Sequence, residues 1–417
     1  MTLDFDLLVR NARLDVADGK APLVDLGIRD GRYAAIGPAL PGKAAEVVDA
    51  GGRFVSPGFV ETHIHLDKSC IIDRCACEGR RFPHDAMERV SDVKHTFTVE
   101  DVHARARRTL ERCILHGATL MRTHVDVDPK VGLRGLEGVK ALVDEYRWAI
   151  DIEICVMPQE GLTNNPGTDE LLVQALKSGA TVIGAAPNLD TDPAGQIRRI
   201  FEIAREFDVD IDMHLDSGSD GSRLDTLLVC ELAEKYGWGG RVTIGHVTRL
   251  STMPIADVER VAQRMVDAGV ALTVLPATDL FLSGRDQEAN VRRGVVDANR
   301  LLKLGVNCSL SSNNVKNPFT PFGDGQLVRQ ANLYANIQQR GMTEDLADMW
   351  SMFTTRSARI LRREAGYGIA VGNAADFVVV DAPDGVEALR EIAPTLMGYK
   401  AGRRTFTRMP AVLHRPA

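Results

Sequence analysis

Eight short apolar runs alternate with stretches that have one polar and one apolar helical face, and together they predict a parallel (β/α)8 TIM barrel. The runs span 53–63, 118–124, 151–158, 181–187, 210–216, 241–247, 271–276 and 307–312, and they are rich in apolar residues, as parallel strands covered on both faces require. After the first interval their starts recur about every thirty residues, one strand–loop–helix unit at a time. The third observation is chemical. Five of the ten histidines fall at the C-terminal ends of these runs, where such a barrel collects its working groups. An open doubly wound sheet is the alternative, but no Gly-x-Gly-x-x-Gly turn follows any run.

Helices are predicted over 169–176, 196–207, 224–236 and 255–268, with Gly179, Gly237, Gly269 and Gly305 near helix ends. Both ends of the chain read differently. Residues 5–50 hold short alternating runs, and Asp30-Gly31 between two of them signals a hairpin. Residues 375–381 and 395–408 repeat that pattern. Segments 1–55 and 366–417 are therefore expected to build a small β-sandwich beside a barrel spanning 56–365.

Composition excludes several classes. A chain of 417 residues with 44% hydrophobic content can bury one large core and a smaller one. A net charge of -7 argues against a general nucleic-acid binder. No run reaches the eighteen or so apolar residues a membrane span needs. The acidic start Asp4-Phe5-Asp6 is unlike a secretory leader, and seven scattered cysteines fit a reducing compartment, so a cytoplasmic protein is expected. Cys75-Ala76-Cys77 lacks the second pair that a metal clip would need.

The site is read from the run ends. In His63-Ile64-His65 two imidazoles at i, i+2 of an extended strand project to one side and can share an ion. His214 ends the fifth run and completes a three-histidine ligand set, which leaves a coordination position open for water. His246, ending the sixth run, is placed to bond that water or a developing oxyanion. Asp216, two residues past His214, is read as the proton shuttle. Gln159 offers a donor and an acceptor to an amide or heterocycle edge, and His124 is a further substrate contact.

These residues resemble the amidohydrolase superfamily, and more narrowly its cytosine deaminase and N-isopropylammelide amidohydrolase branch. The resemblance covers nearly the whole chain, through segments 58–68, 122–127, 210–214, 245–246, 318–323 and 367–376. It implies one divalent ion, zinc or iron, held by His63, His65 and His214, with His246 beside the activated water. It further implies that Gln159 reads the substrate's amide edge and that Phe319 forms the pocket wall. A small-molecule substrate and a homo-oligomer are implied as well.

Two positions depart from that family. Its eighth strand ends in an aspartate that binds the metal and accepts the water proton, whereas this chain has Ser312-Asn313-Asn314. Asn313 thus stands at the catalytic position, with Asn314 next to it at the substrate, and an amide cannot act as a base near neutral pH. The glutamate three residues after the strand-five histidine is Ser217 here. A site missing one carboxylate is more positive by one charge, and two charges about 4 Å apart interact by roughly 4 kcal/mol at an intermediate dielectric. An anionic substrate is therefore expected, helped by Arg80 and Arg81 in the loop after strand one. Opening of a cyclic amide and a catalytically silent, metabolite-binding barrel are the alternatives.

Overall fold

A computed structural model describes residues 3–75, 84–221 and 223–414. Arg80, Arg81 and Cys77 lie outside them. Barrel strands one to eight are Phe59–Ile64, Ala118–Asp126, Asp151–Met157, Val182–Ala185, Asp210–Leu215, Val242–His246, Val270–Val274 and Cys308–Leu310. They form one sheet in sequence order with parallel neighbours throughout. Strand eight returns to strand one beyond its own last residue. The Asn313 backbone N–H donates to the His63 carbonyl at 2.8 Å, and the His65 N–H donates to the Asn313 carbonyl at 2.9 Å.

The predicted alternation follows from burial. Strand two is buried at all nine of its residues, as a strand between neighbours, a helical layer and the barrel interior must be. Helix Ile255–Ala268 turns Val258, Val261, Ala262, Met265 and Ala268 inward, a stripe spaced by threes and fours. It ends at Gly269, and Asp225–Tyr236 ends at Gly237, both in the left-handed region at φ +65°. The apolar run 53–63 is not one strand but two. Phe54–Pro57 pairs antiparallel with Phe377–Val380, and Phe59–Ile64 opens the barrel. The chain changes sheets at Gly58, where a Cβ would stand 2.2 Å from Thr119 Oγ1.

Two four-stranded sheets come from the chain ends. One orders Arg32–Gly37, Val24–Arg29, Phe5–Ala12 and Ala44–Asp49; the other orders Arg403–Thr407, Thr395–Lys400, Phe377–Val380 and Phe54–Pro57. Leu7, Val9, Leu26, Ile28, Phe377, Val379 and Tyr399 belong to one buried cluster formed by both. Asp30 and Gly31 both have positive φ, 51° and 73°, as the tight hairpin turn demands. The C-terminal segment also holds a helix, Gly385–Glu391, whose Val386, Ala388 and Leu389 join the barrel's core rather than the sandwich's. Trp350 is buried edge-on against Phe54 and Phe59 at 5.3 and 5.5 Å, and its indole N–H donates to Ser56 Oγ at 3.1 Å. That ring pins the barrel to the strand that leaves it. No helix among the described residues is long and apolar enough to cross a membrane.

Candidate active site

His63, His65 and His214 meet at the mouth of the barrel. The Nε2 atom of His214 lies 3.1 Å from His63 Nε2 and 2.9 Å from His65 Nε2. Burial, reinforced by His124, pushes the His63 imidazole down to about 3; burial also holds His65 and His214 well below the usual histidine range. All three rings are therefore neutral, the form that ligates a metal. One hydrogen can serve two of the three converging nitrogens and leaves the third unmatched, whereas a cation serves all three. A tetrahedral zinc site with bonds of about 2.0–2.1 Å spaces its nitrogens roughly 3.3 Å apart, near the two spacings to His214, and the histidine nitrogens that all lie within 4.8 Å of one another are those of His63, His214 and His246. The donor set fits a divalent ion.

The layer beneath is charged and dry. His124 stacks on His63 with ring centroids 3.8 Å apart, and Asp212 Oδ1 lies 3.4 Å from His124 Nε2 and 3.8 Å from His63 Nδ1. Arg122, 1% exposed, reaches Asp212 at 3.1 Å on one side and Glu153 at 3.1 Å on the other. Although burial opposes it, His124, His63 and Arg122 hold the Asp212 carboxyl far below the usual carboxylate range. Glu61 stands at the barrel's seam and accepts from the Ser312 and His63 backbone N–H groups at 3.1 and 3.3 Å. Burial raises its pKa to about 7 despite those bonds.

Above the histidines is a cavity of about 50 Å³, room for roughly four waters by the measure that one needs 10–15 Å³. His65, His214, His246, Gln159, Asn313, Asn314 and Phe319 line it, as does Ser217. His246 donates or accepts at Nδ1 with Asp279 Oδ1 at 2.5 Å, and its Nε2 lies 3.4 Å from Asn313 Nδ2. Asp216, His246 and Asn313 all adopt positive φ, at 46°, 72° and 60°, in the turns that leave strands five, six and eight. Aspartate, histidine and asparagine take this conformation more readily than other non-glycine residues, and here it redirects the chain at the strand ends.

Two sequence readings are corrected by this geometry. Asp216 does not face the cavity. Strand five stops at Leu215, the chain turns left-handed at Asp216, and the two-residue alternation no longer holds. Its carboxylate instead accepts from the Asp225 N–H, the Thr226 N–H and the Thr226 hydroxyl at 2.9, 2.9 and 2.6 Å, anchoring the start of the next helix. His124 does not line the cavity either. It is buried and stacked on His63, with Asp212 at 3.4 Å from its Nε2.

Three residues were missed. Lys68, 1% exposed, donates to Asp126 at 2.8 Å and to Gln159 Oε1 at 3.0 Å, with its ammonium 5.4 Å above the Phe319 ring. It stands three residues past His65, in the turn that leaves strand one, where no regular spacing marks it. Asp212 sits two residues before His214 on one strand, the same i, i+2 rule that paired His63 with His65. Asp279 lies in the short helix Pro276–Leu282 after strand seven, where neither spacing nor motif marks it.

The sequence profile of the Amidohydrolase family matches residues 46–152 and 146–406. The N-isopropylammelide isopropyl amidohydrolase of Pseudomonas sp. (strain ADP) is 29% identical over 420 residues, covering 97% of this chain and 98% of that protein. The pterin deaminase of Rhizobium rhizogenes is 27% identical over 367 residues, 86% of this chain and 82% of that protein. Among solved structures, the 5-methylcytosine deaminase of Klebsiella pneumoniae liganded with 5-fluorocytosine superposes with a TM-score of 0.92 at 28% identity, over 98% of this chain and 99% of that one.

Proposed function

This chain belongs to the amidohydrolase family, and from that premise we propose that it hydrolyses a C–N bond of a small cyclic amide, amidine or aminated heterocycle, releasing ammonia or an amine, and that the substrate binds as an anion. It is a hydrolase of non-peptide C–N bonds. The relatives are named for N-isopropylammelide, pterin and 5-methylcytosine, all aminated rings. One observation supports the anionic preference above the others. Among the described residues, the cavity wall includes Lys68 and no carboxylate, the Asp126 carboxylate that pairs with Lys68 at 2.8 Å lying outside that wall.

His63, His65 and His214 would hold the ion, which when bound supplies a Lewis acid and lowers the pKa of water. The chain's own groups do the rest. Lys68 occupies Gln159 Oε1, so the Gln159 amide N–H groups face the cavity and present donors to a carbonyl or a deprotonated ring nitrogen. Phe319 supports the ring's face, and His246 Nε2 stands at the cavity to take or return a proton. Segments 1–55 and 366–417 are proposed to act as one small domain beside the barrel 56–365. A homo-oligomer in the cytoplasm completes the reading, and sedimentation velocity checks the assembly state.

The test is an amine-release screen of the zinc- and iron-loaded protein over aminated pyrimidines and triazines, neutral and acidic. Acidic rings are expected to turn over at least about tenfold faster. Best turnover of neutral cytosine would reject the anionic preference, and ring opening without amine release would move the assignment to cyclic amides. A metal-loaded protein inert to every compound would favour a silent barrel. Asn313→Asp is expected to tighten metal binding at least about tenfold, because an added carboxylate faces the dication. Chelator competition measures this, and unchanged affinity would put residue 313 out of the ion's reach.

A further inference from the structure

We propose that Asp279 is the positioning residue of this site: from the helix after strand seven it holds His246 with a hydrogen on Nδ1 and a bare Nε2 toward the cavity. The consequence for catalysis rests on the hydrolase reading above; the hydrogen's place on the ring does not.

The argument begins at the backbone. The Phe319 and Thr320 N–H groups can only donate, and both point at Asn317 Oδ1, at 3.0 and 3.2 Å. This orients the Asn317 amide, whose Nδ2 donates to Asn314 Oδ1 at 2.7 Å. Asn314 Nδ2 in turn donates to Asn313 Oδ1 at 2.8 Å. Three amides are thus aligned head to tail, and the last one presents Nδ2 to His246 Nε2 at 3.4 Å. An amide nitrogen has hydrogens to give and no lone pair to receive. His246 Nε2 must therefore be the bare nitrogen, and Nδ1 must carry the hydrogen.

That hydrogen needs an acceptor, and Asp279 Oδ1 lies 2.5 Å from Nδ1, with the two side chains 9% and 2% exposed. Aspartate at 313 would instead set a carboxylate against Nε2 and demand a hydrogen there. Asn313 and Asp279 are therefore a matched pair, one forbidding the Nε2 hydrogen and the other holding the Nδ1 hydrogen. The second carboxylate oxygen of Asp279 accepts from the Leu275 N–H at 3.4 Å and helps start helix Pro276–Leu282. A purely structural role is consequently a rival account.

Asp279→Asn separates the two, since an amide oxygen still serves the helix start while the negative charge is gone. In ¹⁵N-histidine-labelled protein, with His246→Gln used for assignment, the wild-type His246 signal is expected to report hydrogen on Nδ1. In Asp279→Asn it is expected to move to a mixture of the two tautomers. With the best compound from the amine-release screen, kcat should fall about 100-fold while KM changes less than about threefold, the size typical of removing a histidine's outer partner. Asp279→Glu should recover part of the loss, and metal content and melting temperature should stay near wild type. A wild-type signal reporting hydrogen on Nε2, or an Asp279→Asn protein with unchanged tautomer and kcat, would overturn the proposal. If every compound in the screen is inert, the functional reading fails and the tautomer result still decides this one.

Discussion

His214→Ala is expected to lower metal content from near one ion per chain to a small fraction of that, and to cut kcat/KM by about 10³-fold or more. His214 Nε2 lies between the other two ligand nitrogens, so its loss leaves His63 and His65 as a pair that cannot enclose an ion. Losing even an outer partner of a ligand costs 10–100-fold, and losing the ligand must cost more. The fold should survive, because the variant removes a neutral ring from a site that crowds neutral nitrogens without matching them. Metal-free His214→Ala should therefore melt no lower than the metal-free parent. The contrast comes on adding zinc, which should raise the parent's melting temperature by selective binding to the folded state and leave the variant's unchanged. A variant that keeps a full ion and its zinc-induced shift would remove His214 from the proposed ligands.

What was legible in the chain divides along a physical line. Periodicity reports burial, so continuous apolar runs and striped helices marked the barrel, and Asp30-Gly31 marked a hairpin of the N-terminal sheet. Residues on regular strands could be placed by alternation, which is how His63 and His65 were seen to share a side. That rule stops where the strand stops. Asp216 lies one residue past the end of strand five and at positive φ, so alternation pointed it into a cavity that its carboxylate does not reach. His124 failed for the opposite reason. It lies well inside strand two, two residues before its end, so it sits beneath the mouth rather than at it. Asp279 and Lys68 occupy helical or loop backbone after the strands, where no period predicts direction and only packing brings them to His246 and Gln159. The change of sheet at Gly58 was hidden because two buried strands separated by one glycine read as a single apolar run.

Arg122→Met is expected to be the most destabilising single change near the site, by about 3–5 kcal/mol in denaturant unfolding of the metal-free protein. The cause is not the loss of an attractive pair as such, since a buried ion pair gains little over apolar residues of the same shape. It is the charge left behind. Asp212 is 0% exposed, and without the guanidinium it keeps the His124 and His63 rings at 3.4 and 3.8 Å but loses its hydrogen-bonded cation, while Glu153, 14% exposed, can still reach Arg363. The contrast is Arg147, whose pair with Asp144 is 70% and 84% exposed and whose removal should cost under about 0.5 kcal/mol. Lysine at 122 should rescue poorly, because one ammonium cannot bond both carboxylates in the geometry of the guanidinium fork. If stranded charge is the mechanism, adding Asp212→Asn to Arg122→Met should return part of the stability even though it removes a second native group. Metal affinity should not return with it, since Asp212 lies beside the His63 ring that ligation must hold in place. A loss below about 1 kcal/mol for Arg122→Met, or a double variant less stable than the single, would mean that solvent or a neighbour neutralises Asp212 and that the dry charged layer does not set the site's rigidity.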